Sequence, residues 1–126
     1  MGTVVAAICP LETKLDTFHE NFNVTVGPLP NNVDLDTYFR KTMKLFAEKA
    51  FNFNLYGNGQ KKIHGQKALW AMYSYELNGI HIETLQYMFS QNNNTYIITC
   101  VGERNKFDQY ERTFRLIAHS FRFEKY

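Results

Sequence analysis

The chain has 126 residues, of which 44% are hydrophobic and 16% aromatic, and this composition is sufficient for one domain with its own core. Its 14 Lys and Arg residues against 12 Asp and Glu residues give a net charge of +2, so nothing in the charge favours nucleic acid or an anionic membrane surface as a partner. No apolar run approaches the roughly 18 residues that a membrane-spanning helix needs. We therefore expect residues 1–126 to form a single domain without a membrane span.

The N-terminal segment predicts two strands. Residues 4–9 form a β-branched run that Pro10 ends, because proline cannot donate a hydrogen bond to a strand ladder. Residues 22–26 alternate apolar and polar side chains, which is typical of a second strand. The first three residues lead directly into the first strand, so we expect that natural residues upstream of them are missing.

Residues 34–50 predict an amphipathic helix. Asp34 suits the N-cap position, and Asp36 in the first turn suits the positive end of the helix dipole. Apolar residues at three- and four-residue steps form one stripe, which consists of Leu35, Tyr38, Phe39, Met43, Phe46 and Ala50. The other side carries Arg40, Lys41, Lys44 and Lys49. We interpret this basic side as a solvated face, with partner binding as the alternative.

Three further strands are predicted in the centre of the chain. Residues 51–56 alternate and lead to a predicted loop at residues 57–59, whose sequence is Gly-Asn-Gly. Residues 68–77 and 80–91 form two long strands that an Asn-Gly pair joins, and this pair favours a type I′ turn. The turn fixes the register by placing Leu77 opposite Ile80, Tyr75 opposite Ile82 and Trp70 opposite Tyr87.

Both faces of this hairpin carry large apolar side chains. One face has Leu69, Ala71, Tyr73, Tyr75, Leu77, Ile80, Ile82 and Met88, and the other has Ala68, Trp70, Met72, Leu85, Tyr87 and Phe89. A sheet with one wet face would alternate cleanly between apolar and polar residues. We therefore expect the centre of the sheet to be covered on both sides, with the turn end in water.

The C-terminal segment predicts another buried strand at residues 96–101 and a second helix at residues 106–119. The apolar stripe of this helix consists of Phe107, Tyr110, Phe114, Ile117 and Phe121. Residues 121–123 could add a last short strand. The elements together predict an α+β fold, an α/β/α sandwich whose central antiparallel sheet of about five to seven strands has one main helix on each face.

The order of several segments resembles a known fold. "ENFNVTVGPLP" is followed by "LDTYF", "IHGQKALW", "LQYMF" and "NTYIITCVGERNKFDQYERTFRLIAHSF". This order is similar to the PsbP-like fold shared with the Mog Ran-binding protein, and within it to bacterial PsbP/DcrB-like domains, over residues 4–123. Such domains usually begin with a strand that ends in a P-x-x-W-like segment, which this chain lacks before residue 4. Either this segment was trimmed away or this member lacks it. If it was trimmed, an edge of the sheet would be open to β-pairing, as in a homodimer.

An aromatic cluster is the strongest candidate for a partner or ligand surface. It consists of Trp70, Met72, Leu85, Tyr87 and Phe89 on one face of the long hairpin. Two interpretations remain open for it. The cluster is either core beneath a helix, or part of it lines a groove for a hydrophobic ligand or a partner segment.

No pattern in the sequence predicts catalysis, and we expect no enzyme, no catalytic residue, no cofactor and no metal. The four histidines lack metal-ligand spacing, and no phosphate-binding loop or nucleophile elbow is present. His81 and Glu76 are expected to form a cross-strand surface pair. We interpret Cys9 and Cys100 as small buried hydrophobes, with a disulfide as the alternative.

The resemblance implies a non-catalytic protein-binding or accessory domain of a bacterial PsbP/DcrB-like protein that is exported or lipid-anchored. Relatives of PsbP are extrinsic subunits and accessory factors, which favours an extracytoplasmic location, periplasmic or lipid-anchored, over the cytoplasm. The alternative is a cytosolic adaptor chaperone that shields hydrophobic segments of type VI secretion effectors, as some DcrB-like relatives do. The identity of the protein partner stays open.

Overall fold

The computed structural model describes residues 2–8, 21–104 and 107–120, which form one β-sheet and two α-helices. Within them the elements are β1 Gly2–Ile8, β2 Asn21–Pro28, α1 Leu35–Lys49, β3 Phe51–Ile63, β4 Gln66–Leu77, β5 Ile80–Gln91, β6 Asn94–Glu103 and α2 Phe107–Ser120. The strands form an antiparallel sheet of six in the order β1-β2-β6-β5-β4-β3, with β1 and β3 at its edges. The predicted α+β class and strand number are confirmed.

The two helices cover opposite faces of the sheet. Helix α1 begins at the Asp34 N-cap, whose Oδ1 accepts a hydrogen bond of 2.7 Å from the Thr37 N–H. Its buried side chains pack with one set of sheet residues, namely Leu69, Ala71, Tyr73, Met88 and Ile97. The buried side chains of α2 pack with the opposite set, namely Val24, Ile63, Ala68, Leu85, Tyr87, Phe89, Ile98 and Cys100. This arrangement confirms the predicted sandwich and explains why both faces of the hairpin are apolar.

The predicted hairpin register is also confirmed. Asn78 and Gly79 have φ values of 51° and 80°, the positive angles that a type I′ turn requires. Leu77 then pairs with Ile80, Tyr75 with Ile82 and Trp70 with Tyr87. Two other tight turns use the same positive φ region, at His64-Gly65 and at Asn92-Asn93.

The predicted loop at residues 57–59 is wrong, because β3 continues through it. Gly57 pairs with Met72 and Gly59 pairs with Trp70 across the β3–β4 ladder. The Trp70 indole lies over both glycines, so that a Cβ atom added at Gly59 would stand 3.0 Å from Trp70 Nε1. A Cβ atom at Gly57 would stand 3.2 Å from Trp70 Cζ3. The glycines therefore make room for a large ring and do not end the strand.

Some expectations fall outside the described residues. Cys9 and the short strand at residues 121–123 belong to that part of the chain. Cys100 is described, carries a free thiol and is fully buried, and burial raises its pKa to about 12. Its thiol is therefore un-ionised and unreactive at neutral pH. Neither described helix is long and apolar enough to cross a membrane.

Candidate functional site

An apolar groove of about 960 Å³ lies beside the C-terminal half of α1. The end of the β4–β5 hairpin forms its opposite wall, and the start of β3 closes one end. Its lining consists of Thr42, Leu45, Phe46, Lys49, Ala50, Phe51, Tyr75, Glu76, Leu77, Asn78 and Gly79. We call this surface the α1 groove. Its volume lies within the range of ligand-binding clefts.

Three large apolar side chains of the α1 groove are exposed to solvent. Leu45 is 56% exposed, Phe51 66% and Leu77 52%. Leu45 lies beside the buried stripe of α1, Phe51 follows the end of the helix by two residues, and Leu77 precedes the hairpin turn. Single exposed apolar residues are ordinary, but three around one groove form a patch of the kind that marks a binding surface.

Four packed aromatic rings, different from the cluster around Trp70, form and support the floor of the α1 groove. Phe46 packs on Tyr75, Tyr73 and Phe53 with ring-centroid distances of 5.2, 5.2 and 5.7 Å. The Tyr73 hydroxyl donates a buried hydrogen bond of 2.8 Å to Gln86 Oε1. Burial raises the pKa of both tyrosines, so both stay neutral. The rings are packed in tilted and edge contacts, which makes the floor rigid and uncharged.

The α1 groove has few polar groups that could do chemistry. Lys49 and Glu76 are the lining residues that carry a charge at neutral pH. Glu76 Oε1 lies 3.3 Å from His81 Nδ1, so the expected cross-strand pair forms and engages this carboxylate. Among the described residues, no group of three or more His, Cys, Asp or Glu side chains could hold a metal ion. The mostly apolar lining is suited to the burial of an apolar group.

The structure places three of the five candidate surface residues in the core. Leu85, Tyr87 and Phe89 are completely buried beneath α2, so they cannot present a surface to a partner. Of the two open interpretations, core beneath a helix therefore fits these three residues, and a groove could involve only the other two. Trp70 and Met72 are half-buried at the edge of the same core. They lie on the α2 face, opposite to the α1 groove.

A smaller cleft on the α2 face contains Met72 and is polar in character. The Arg115 guanidinium donates to Met72 Sδ at 3.5 Å. Glu83 is 8% exposed and lies 3.6 Å from the Arg104 guanidinium. Burial raises the pKa of Glu83, and the Arg104 charge opposes this effect. The cleft also includes Asn54, Tyr56, Ser74, Phe107, Asp108 and Glu111. The apolar surface that the sequence suggested on this face is therefore small.

The sequence interpretation did not select the residues that line the α1 groove. Leu45 is apolar but falls outside the predicted apolar stripe of the helix. An apolar residue at such a position was the available sequence signal for an exposed binding surface. Phe51 was assigned to a strand, although the structure leaves it exposed at the sheet edge. Leu77 was correctly expected near the wet end of the hairpin. Their grouping could not be predicted, because it depends on how α1 crosses the sheet.

The described fold matches known structures although the sequence matches no family model and no curated protein. The crystal structure of PA94, a Pseudomonas aeruginosa protein of unknown function, gives a TM-score of 0.86 at 12% identity over 100% of this chain and 87% of that one. The solution structure of cyanobacterial PsbP (CyanoP) from Synechocystis sp. PCC 6803 gives 0.65 at 16% identity over 83% and 68%. The crystal structure of LpqN, involved in cell envelope biogenesis of Mycobacterium tuberculosis, gives 0.57 at 13% identity over 91% and 72%. The predicted PsbP/DcrB-like fold is thereby confirmed.

Proposed function

We propose that this chain is a non-catalytic binding domain whose α1 groove holds an apolar segment of a protein partner. The exposure of Leu45, Phe51 and Leu77 around one groove is the observation that carries the proposal. Full burial of such a side chain from water is worth roughly 1.5–3 kcal/mol, and a complex would gain the part of it that corresponds to the 52–66% still exposed, before the costs of association. If a partner covers all three side chains, the free energy of burying them adds to the stability of the complex.

The setting that we propose is extracytoplasmic, in an exported or lipid-anchored protein. It is supported by the structural likeness to LpqN, which is involved in cell envelope biogenesis, and to a cyanobacterial PsbP. In this setting the groove would receive an apolar segment of an envelope protein, and the domain would act as an accessory factor of that protein.

The second candidate is a cytosolic adaptor chaperone that shields hydrophobic segments of type VI secretion effectors. The open form of the α1 groove and its mostly apolar lining favour this role. A chaperone must bind apolar segments of different sequence. An apolar surface with few hydrogen-bonding groups binds such segments without selecting particular side chains. The two candidates share one binding surface and differ in compartment and partner.

Pairing between two copies through a sheet edge stays a prediction. Strand β3 lies at an edge of the described sheet, but its register shifts twice, between Phe51 and Asn54 and between Leu55 and Gly57. Lys61 and Lys62 stand near the other end of β3. Bulges and edge lysines are features that oppose strand pairing between molecules.

The experiment that tests the proposed function is a comparative capture of the natural full-length protein from its own cells. We expect the wild type to retain a stoichiometric partner with an apolar segment, and Leu45→Asp to lose it because a carboxylate would be buried in the interface. Leu116→Asp is the matched control, since Leu116 is 62% exposed on α2, away from the groove. Cross-linking with mass spectrometry then identifies the bound segment.

The outcomes separate the candidates. A processed or lipidated N-terminus with an envelope partner supports the accessory role, and an unprocessed N-terminus with an effector supports the chaperone. A partner that both variants retain equally would contradict binding in the α1 groove.

A further inference from the structure

We propose that the occupant of the α1 groove is an α-helical segment that carries acidic residues one turn before and one turn after a central apolar residue. This inference rests on the proposed function and specifies the chemistry of the partner. Two independent features of the groove lead to it: the irregular strand edge beside it, and a row of cationic residues on α1.

The strand edge beside the groove does not suit an added β-strand. Strand addition requires a regular row of free N–H and C=O groups along the edge. At the groove, the ladder of β3 is interrupted between Phe51 and Asn54, and again between Leu55 and Gly57. Asn52 has a positive φ of 51°, which turns its peptide groups out of the strand pattern. The occupant must therefore satisfy its own backbone hydrogen bonds, as a helix does.

Helix α1 carries a row of charged and apolar side chains that enters the groove at Leu45 and Lys49 and continues past its lining to Lys41. Lys41, Leu45 and Lys49 follow each other at four-residue steps, so they form one ridge along α1. All three side chains are exposed. Neither lysine forms an ion pair with a carboxylate among the described residues. Both ammonium groups are therefore available to a partner that docks on Leu45.

The acidic groups near this ridge form no ion pair with its two lysines among the described residues. Glu48 is exposed and forms no ion pair with a described residue. On the opposite wall, Glu76 is engaged by His81 at 3.3 Å. The ridge thus keeps one cation on each side of an apolar contact, and the two cations are about 12 Å apart by the rise of an α-helix. A partner helix with the row acid–apolar–acid at the same spacing is complementary to it in charge and in period.

The test uses three synthetic helical peptides of about 18 residues, a length at which helix formation is favourable. They share one apolar stripe and differ only at the two positions that flank the central leucine, which are Glu, Gln or Lys. Fluorescence anisotropy measures their binding to the full chain. We expect the Glu peptide to bind roughly three- to tenfold more tightly than the Gln peptide, which corresponds to two exposed ion pairs. The Lys peptide should bind most weakly, and high salt should reduce these differences.

Two variants assign the effect to the ridge. The double change K41E and K49E should reverse the order, so that the Lys peptide binds best. Lys44→Glu is the matched control, because Lys44 is exposed on the same helix but points about 100° away from Leu45. It should leave the order unchanged.

Each outcome decides between the inference and the proposed function. Equal binding of the three peptides that Leu45→Asp abolishes would overturn the inference and leave the proposed function intact. Failure of all three peptides to bind would contradict both. Binding of anionic lipid vesicles that K41E and K49E abolish, without peptide binding, would overturn the inference in favour of a membrane surface.

Discussion

Trp70 and the two glycines beneath it decide the course of the β3 edge strand. The indole covers Gly57 and Gly59, and it joins the core on the α2 face. A side chain at either position would have to share space with a rigid ring. Because Trp70 is the single tryptophan of the chain, its fluorescence reports on the surroundings of this one indole.

Gly59→Ala should destabilise the protein by about 1–2 kcal/mol, since the new Cβ atom would stand 3.0 Å from Trp70 Nε1 and force the ring to move. The Trp70 emission should shift at the same time. Urea unfolding and emission spectra measure the two effects. Asn58→Ala is the control, because Asn58 lies between the glycines with an exposed side chain. Unchanged stability and emission in Gly59→Ala would disprove this account of the glycines.

Two buried tyrosines should respond differently to the same chemical change. The Tyr73 hydroxyl donates to Gln86, whereas the buried Tyr87 hydroxyl has no partner of hydrogen-bond geometry among the described residues. Tyr73→Phe should cost about 1–3 kcal/mol, because it leaves the Gln86 oxygen unsatisfied. Tyr87→Phe should stay within about 0.5 kcal/mol of the wild type or stabilise it. Equal losses in urea unfolding would contradict the assigned hydrogen bond.

For single residues, the sequence predicted on which face of the sheet a side chain lies, but it did not predict what that side chain contacts. The alternation of residues 68–77 placed Trp70 on the correct face of the sheet. It could not predict that the indole would lie across a neighbouring strand, because Gly57 and Gly59 are a dozen residues away and glycine pairs are also typical of loops. Only the strand pairing brings the ring and the glycines together.

Helix α2 and strand β3 meet at a contact that responds to pH. His119 Nε2 lies 3.2 Å from Lys61 Nζ, and the His119 ring packs edge-on against Tyr87 at 5.8 Å. Burial of the ring lowers the pKa of His119 below 6.5, and the charges of Lys61 and Arg115 lower it further. The folded protein therefore binds a proton at His119 less readily than the unfolded chain does.

The stability of the protein should consequently decrease as the pH falls below 6.5 and through the lowered pKa of His119. His119→Gln should remove this part of the pH dependence, and Lys61→Gln should reduce it because one repulsive charge is lost. Urea unfolding between neutral and mildly acidic pH measures the effect. The same slope in His119→Gln and the wild type would contradict the role of this contact.

The elements with strong local signals were predicted almost to the residue. The Asn-Gly turn gave both hairpin strands and their register, because that pair has few alternatives at positive φ. Helix α1 was predicted from its N-cap and its stripe. The extra length of β3 was missed, since Ile63 is the single β-branched residue among residues 57–63 and the others do not favour strands.

At the scale of the whole molecule, the two faces of the sheet differ in how completely they are covered. On the α2 face the partly covered surface is polar, whereas the α1 face leaves an apolar groove between the helix and the end of the hairpin. The sequence predicted that each face has a helix. It could not predict the groove, because Leu45 and Leu77 are distant in sequence and meet only after α1 has packed on the sheet.

We propose that an apolar segment binds in the α1 groove and not at Trp70 and Met72. Methyl NMR with the uncharged Gln peptide tests it most directly, because methyl groups of both faces are followed in one titration. We expect saturable shifts at Leu45 and Leu77, with the Met72 methyl signal and the Trp70 emission unchanged. Shifts at Met72 and Trp70 without shifts at Leu45 and Leu77 would contradict the claim and return the site to the α2 face.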